Sequence, residues 1–235
     1  MKISVIIIAH NEEQHLKECL DSLMRQTVKP HEIVLIAHNC SDKTVEIAAA
    51  YPVIVVNYNG PAGIVYARLE GLKHVTGDSI LCIDGDSVAK ENWVEKMSEA
   101  LKQNQNILVG SWIQFSGTLF GAVANIWNKY ICVSKNEHAT HWLWGASFGF
   151  WNRDSIIVKE ILEKSILLTK ELNLSRNPDD YWLALFMSKR GNLEITNKTW
   201  VTQYTKEQST KEAYTRNNEN MRNGKLMREF FKKYN

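Results

Sequence analysis

Four prolines and four cysteines among 235 residues leave little material for a proline-rich linker or a disulfide framework. Cys19, Cys40, Cys82 and Cys132 lie far apart and form no Cys-x-x-Cys pair, so a reduced, cytosolic compartment is expected. No stretch of about 20 apolar residues occurs, which argues against a transmembrane helix. The apolar run from Ile3 to Ala9 is cut by His10, Asn11 and Glu12, and is too short for a signal sequence. A formal net charge of +2 is too small for a general nucleic-acid surface. A glycine-rich, basic loop that would cradle a triphosphate is also missing near the N-terminus, where His10-Asn11-Glu12-Glu13 stands instead. His138 and His141 are spaced His-x-x-His without a third ligand, a poor zinc pattern.

What is present is ordinary for a globular chain: 44% hydrophobic and 23% charged residues. The first half alternates β-branched runs with helix-period segments, the pattern of a parallel sheet covered by helices. Strands are expected over Ile3 to Ala9, Glu32 to Ala37, Val53 to Asn57 and Ser79 to Ile83, each apolar without alternation and so buried on both faces. Helices are expected near Glu12 to Arg25, Asp42 to Ala50 and Gly63 to His74, with Leu16, Cys19, Leu20 and Leu23 as one stripe. Crossover helices between parallel strands bring the strand ends to one edge of the sheet, where ligands gather. The loops there are His10 to Glu13, His38 to Asp42 and Asp84 to Val88.

The second half is less regular. Six of the eight tryptophans fall between residues 112 and 182, where they fill a core or stack on sugar rings. The segment Ile107 to Ile131 is the most apolar long stretch and the natural place for peripheral contact with a membrane. From Lys198 onward nine Lys/Arg stand against four Asp/Glu, a solvated face or a surface for phosphates and lipid head groups. Residues 1–200 are read as one α/β domain, 1–105 binding nucleotide and 106–200 the acceptor, with 201–235 a helical basic tail broken near Gly224.

The strongest local signal is the strand from Ser79 running into Asp84-Gly85-Asp86-Ser87. Two carboxylates at the end of a buried strand call for a partner, and Mg²⁺ or Mn²⁺ shared with diphosphate oxygens supplies one. The glycine allows a sharp turn and a close ligand approach. The plainer alternative is a solvated turn in which Asp86 or Ser87 caps the next helix.

Five segments in order resemble family 2 glycosyltransferases of the GT-A fold over residues 1 to about 200. They are Val5 to Glu13, Ile36 to Thr44, Ala67-Arg68 with Gly71, Asp84-Gly85-Asp86, and Asn177-Pro178-Asp179-Asp180-Tyr181-Trp182-Leu183. The resemblance implies a mainly parallel central sheet flanked by helices, and a metal-dependent, inverting transfer of a hexose from a nucleotide-sugar donor. Position by position, it implies that Asp86 binds the metal, while Asp84 supports the metal shell or contacts ribose. It further implies that Ala9, His10, Asn11, Glu12, His38, Asn39, Arg68 and Gly85 surround the nucleotide. Trp142, Trp144, Gly145 and Ala146 are placed at the sugar or acceptor, and Asp180 is the general base. Asp179 stands where the family usually has Glu.

Arg68 would neutralise or orient the nucleotide, unless it is a surface ion pair. Asp179 and Asp180 also suit a helix N-terminus after Pro178, and Asn11 suits an N-cap. Ala37, His38 and Asn39 replace the carboxylate that often reads uracil in relatives, which leaves the base open, with UDP favoured by family frequency. The acceptor implied is a cell-surface glycan or a lipid-linked molecule, at the inner face of the membrane. The rival readings are a silent nucleotide-sugar binding module and a nucleotidyltransferase; the absent phosphate loop argues against the latter.

Overall fold

The structure, a computed structural model, describes residues 1–103, 106–116, 125, 143–204, 222–223, 225–227 and 229–230. Trp127, Cys132, His138, His141, Trp142 and Gly224 lie outside these residues.

The first half folds as its hydrophobic pattern dictates. Strands β1 (Ile3–Ala9), β2 (Glu32–His38), β3 (Ile54–Tyr58) and β4 (Ser79–Asp84) pair in parallel in the order β3-β2-β1-β4. Helices α1 (Leu16–Met24), α2 (Thr44–Ala49) and α3 (Ile64–Gly71) form the crossovers. Every residue of β1 is buried. Its alternation divides the core, with Val5 and Ile7 packing into one layer alongside Leu16, Leu20 and Trp93. Ile6 and Ile8 face the other layer, with Val65, Phe148 and Trp182. Each such side chain withdrawn from water stabilises the fold by roughly 2 kcal/mol.

Helix α1 starts later than its apolar period alone suggests. Residues 12–15 form a turn in which the Glu12 carbonyl accepts from the backbone N–H groups of His15 and Leu16. Asn11 is therefore not an N-cap; it holds φ 55° in the loop before the turn, and its Oδ1 accepts from the Ser41 N–H at 2.8 Å.

The second half completes the same sheet. It adds β5 (Ser87–Ala89), α4 (Trp93–Lys102), β6 (Asn106–Ser116), β7 (Ser147–Trp151), α5 (Ser155–Glu171), α6 (Asp179–Ser188) and β8 (Asn192–Tyr204). The full order is β3-β2-β1-β4-β7-β6-β8-β5, with β7 antiparallel to β4 and β6, and β5 antiparallel to β8. Asp86 and Ser87 do not cap a helix: Ser87 opens β5 opposite Gln203, and α4 begins only at Trp93. Strand β8 carries the sheet through Tyr204, past residue 200. The described residues between 222 and 230 are helical, and Phe230 meets the Trp182 ring edge-on at 6.2 Å. Trp93, fully buried, donates Nε1–H to Ser147 Oγ at 2.9 Å and so ties α4 to β7. Truncation of Trp93 to alanine would cost about 3–5 kcal/mol. No helix among the described residues is long and apolar enough to cross a membrane.

Candidate active site

The sheet order reverses at β1 and β4: β2 and β3 lie to one side, later strands to the other. The crevice outside the carboxyl ends of such strands is where open α/β sheets bind ligands. Here it is an open cleft of about 250 Å³, lined by Ile8, His10, Glu12, His38, Asn39, Ala62, Gly63, Ile64, Asp84, Gly85 and Asp86.

Gly85 seats the Asp-Gly-Asp turn against β1. Its N–H donates to the Ile8 carbonyl at 2.8 Å, and an added Cβ would lie 3.1 Å from the Ala9 Cβ and 3.2 Å from the Ile8 oxygen. Asp86 is fixed from the far side. Its Oδ1 accepts from Ser87 Oγ at 3.2 Å and Gln203 Nε2 at 3.3 Å, while its carbonyl accepts from the Tyr204 N–H at 3.0 Å.

The loops that follow β1 and β2 are cross-tied. His10 Nδ1–H donates to the His38 carbonyl at 2.7 Å, and the Glu12 N–H donates to Thr44 Oγ1 at 2.8 Å. His38 is buried, stacks on Tyr58 at 5.4 Å, and lies with Nε2 2.9 Å from the Pro61 carbonyl. The Pro61 carbonyl accepts from Nε2 when that nitrogen is protonated, whereas Asn39 Nδ2, 3.2 Å from the same nitrogen, donates to it in the other tautomer. Burial, with His10 adding to it, lowers the His38 pKa against the contact with Pro61. Asn39, at φ 50°, exchanges two hydrogen bonds with the backbone of Gly60. Its amide serves the loop first.

Behind the cleft floor lies a charged cluster. Arg68, 3% exposed, binds Asp179 through Nη1, donates from Nη2 to the Gly145 carbonyl at 2.8 Å, and places Nη2 3.8 Å from Asp84 Oδ1. Its guanidinium lies 5.0 Å from the centre of the Phe148 ring. Arg68 is thus no surface ion pair, nor does it line the cleft. Burial opposes its charge, but Asp179 and Asp84 more than offset that, and its pKa is raised.

Asp180 lies in the first turn of α6, where Oδ1 accepts from the Tyr181 N–H at 2.8 Å and Oδ2 from the Gly145 N–H at 3.1 Å. Burial and the charge of Asp179 raise its pKa against Arg68 and those two N–H groups. Asp84 is pushed up to about 7 by burial and by Asp86, Asp179 and Asp180, with Arg68 opposing. Trp144 meets Phe115 edge-on at 5.5 Å, and Ala146 is buried in the core.

Asp84, Asp179 and Asp180 act on the one guanidinium of Arg68, and Asp86 acts in turn on Asp84, which leaves the cluster with an excess of negative charge. Among the described residues no group of three or more His, Cys, Asp or Glu is placed to hold a metal alone. Asp84 and Asp86, both on the cleft lining, are hard oxygen donors of the kind that hold Mg²⁺ or Mn²⁺ together with water and phosphate oxygens. Sequence reasoning missed the wall formed by Ala62, Gly63 and Ile64, although Gly60-Pro61-Ala62-Gly63 carries the turn residues that mark it, and Gly63 takes φ 128°.

The family model described as "Glycosyl transferase family 2" matches residues 4–165, from β1 through most of α5. The chain belongs to glycosyl transferase family 2. An uncharacterized glycosyltransferase of Bacillus subtilis (strain 168), YwdF, is 34% identical over 105 residues, 43% of this chain and 39% of that protein. Two solved structures share the GT-A fold. TarS residues 1–349 of S. aureus, in complex with UDP, superpose with a TM-score of 0.62 at 15% identity, covering 86% of this chain and 60% of that one. The mannosyltransferase PcManGT from Pyrobaculum calidifontis, in complex with GDP-Man and Mn²⁺, gives 0.64 at 17% identity, covering 88% and 58%. This family 2 chain spans less than two thirds of each of these proteins.

Proposed function

We propose that this chain is an inverting, metal-dependent glycosyltransferase that moves a hexose from a nucleotide sugar to a hydroxyl of a glycan or lipid-linked acceptor. The observation that carries the reading is the convergence of Asp84 and Asp86 on the cleft floor with Asp180 close behind it, joined through Arg68 and Gly145. The structural neighbours with UDP, or with GDP-Man and Mn²⁺, support a nucleotide-sugar donor and a divalent cation.

Mg²⁺ or Mn²⁺, held by Asp86 with Asp84 beside it, would neutralise charge that develops on the leaving diphosphate. The protein's own residues do the rest. The β1 loop and His38 take the nucleoside, and the close seating of Gly85 on Ala9 leaves the turn open to the diphosphate. Asp180 accepts the proton of the acceptor hydroxyl as that oxygen attacks the anomeric carbon from the face opposite the diphosphate. One base suffices for inversion, without a covalent sugar intermediate.

Asp180→Asn tests the reading. Donor binding should persist while nucleoside diphosphate release falls by roughly 10²-fold or more, the range for a lost general base. Turnover at the wild-type rate would move the base elsewhere.

A further inference from the structure

We propose that Arg68 and Asp179 are positioning residues for Asp180, acting through the backbone of Gly145. The inference rests on the assignment of Asp180 as the base. Gly145 divides its two backbone polar groups between base and cation: the N–H donates to Asp180 Oδ2 at 3.1 Å, and the carbonyl accepts from Arg68 Nη2 at 2.8 Å. The other arm of the guanidinium, Nη1, binds Asp179, the residue before Asp180 in the first turn of α6. Arg68 thereby holds both the helix end that carries the base and the loop that hydrogen-bonds it.

A planar fork suits this task, because two separate nitrogens reach two acceptors in fixed directions; a lysine offers one point charge on a flexible stem. Phe148 lies beneath the fork at 5.0 Å. With Tyr181 N–H on Oδ1 and Gly145 N–H on Oδ2, both Asp180 oxygens are tied, and each keeps a second acceptor site for a hydroxyl proton. Position 145 is tight for a side chain, and even a methyl group would press on Arg68. An added Cβ would lie 3.0 Å from Arg68 Nη2 and 3.4 Å from Asp180 Oδ2, between the cation and the base. Arg68 is 3% exposed and lines no part of the cleft, so it acts through these partners rather than on the nucleotide.

The experiment compares Gly145→Ala, Arg68→Lys, the double variant Arg68→Met with Asp179→Leu, and Asp180→Asn. It reads melting temperature, calorimetric affinity for UDP and GDP with Mn²⁺, and kcat and KM for nucleoside diphosphate release from UDP- and GDP-sugars. Gly145→Ala should lower kcat about tenfold or more, the effect of a misplaced catalytic group, while nucleotide affinity stays within about twofold of wild type. Arg68→Lys should lower kcat in the same sense. The double variant removes the ion pair but also leaves Asp84, Asp180 and the Gly145 carbonyl without the guanidinium, so it should melt below wild type and stay slow.

Full kcat with weakened nucleotide affinity in Gly145→Ala would mean that the glycine only makes room for the donor, and would overturn the proposal. Full kcat in the double variant would reduce the ion pair to fold support, with the same result. If the double variant fails to fold, Gly145→Ala and Arg68→Lys decide. Wild-type turnover in Asp180→Asn would instead remove the base assignment itself; a dead Asp180→Asn beside fast Gly145→Ala and Arg68→Lys removes only the positioning.

Discussion

The imidazole of His38 meets both the Pro61 carbonyl, at 2.9 Å, and the Asn39 amide nitrogen, at 3.2 Å, through Nε2, and in the tautomer that donates to Pro61 the ring that lines the cleft keeps its lone pair on Nδ1. Burial lowers its pKa, and the ring is neutral at pH 7. A neutral acceptor pairs with a base that offers a ring N–H, as uracil and guanine do; the competing donors in adenine and cytosine are their exocyclic amines, which sit elsewhere on the base edge. UDP and GDP should bind with Mn²⁺ about tenfold more tightly than ADP and CDP, the worth of one hydrogen bond of about 1.4 kcal/mol. In His38→Ala the four affinities should converge. Calorimetry on the four nucleotides checks both statements, and a preference for ADP or CDP would contradict them.

Strands β1, β2 and β4 were legible because they are buried on both faces and read as unbroken apolar runs: Glu32 to Ala37 was expected, and Glu32–His38 is found. The strand expected over Val53 to Asn57 is found as Ile54–Tyr58, but it lies at the sheet edge and none of its residues is buried, with Ile54 47% exposed. The Asp-Gly-Asp turn was legible for the same reason, since it ends such a run. Strand β5 was not, because Ser87-Val88-Ala89 is too short to show a period and exists by pairing with β8, over a hundred residues on. The Arg68 to Asp179 contact spans 111 positions, and only the fold brings its ends together. Gly145 reads in sequence as a small residue near a sugar; its place between Arg68 and Asp180 depends on three separate elements. The apolar stretch from Ile107 and the basic tail were expected to meet membrane or phosphate, and residues 117–124 and 205–221 lie outside the described structure.

Asp180 gives a pH prediction. Burial, then the charge of Asp179, hold its carboxyl above the usual range. With Asp180 as the proposed base, transfer needs its carboxylate, so kcat/KM should fall as pH drops through this raised pKa, above the ordinary value of about 3.9. A pH–rate profile of nucleoside diphosphate release measures it. An acid limb at or below the ordinary carboxylate value would be inconsistent with a buried base.

Glu32 gives a stability prediction at the opposite end of the sheet. Burial alone would raise its pKa, but Ser4 Oγ at 2.6 Å and the N–H and hydroxyl of Thr76 at 2.5 and 2.9 Å donate to Oε1 and lower it. A carboxyl depressed by folding stabilises the native state above its unfolded pKa of about 4.3, and that contribution is lost as pH falls through the folded value. Glu32→Gln should therefore be less stable than wild type at pH 7 and converge with it at low pH. Urea titrations from pH 7 to pH 3 give the comparison; a gap independent of pH would exclude the ionised contact as its source.

In the proposed mechanism Asp86 is the residue that joins metal to nucleotide. Calorimetric titration of UDP and GDP into wild type and Asp86→Ala, each with Mn²⁺ and with a chelator, tests it directly. Wild type should bind its preferred nucleotide at least about tenfold more tightly with Mn²⁺ than without, and Asp86→Ala should lose that increment, since carboxylate and phosphate oxygens share the ion. An affinity indifferent to Mn²⁺ in wild type, or a full Mn²⁺ increment in Asp86→Ala, would contradict it.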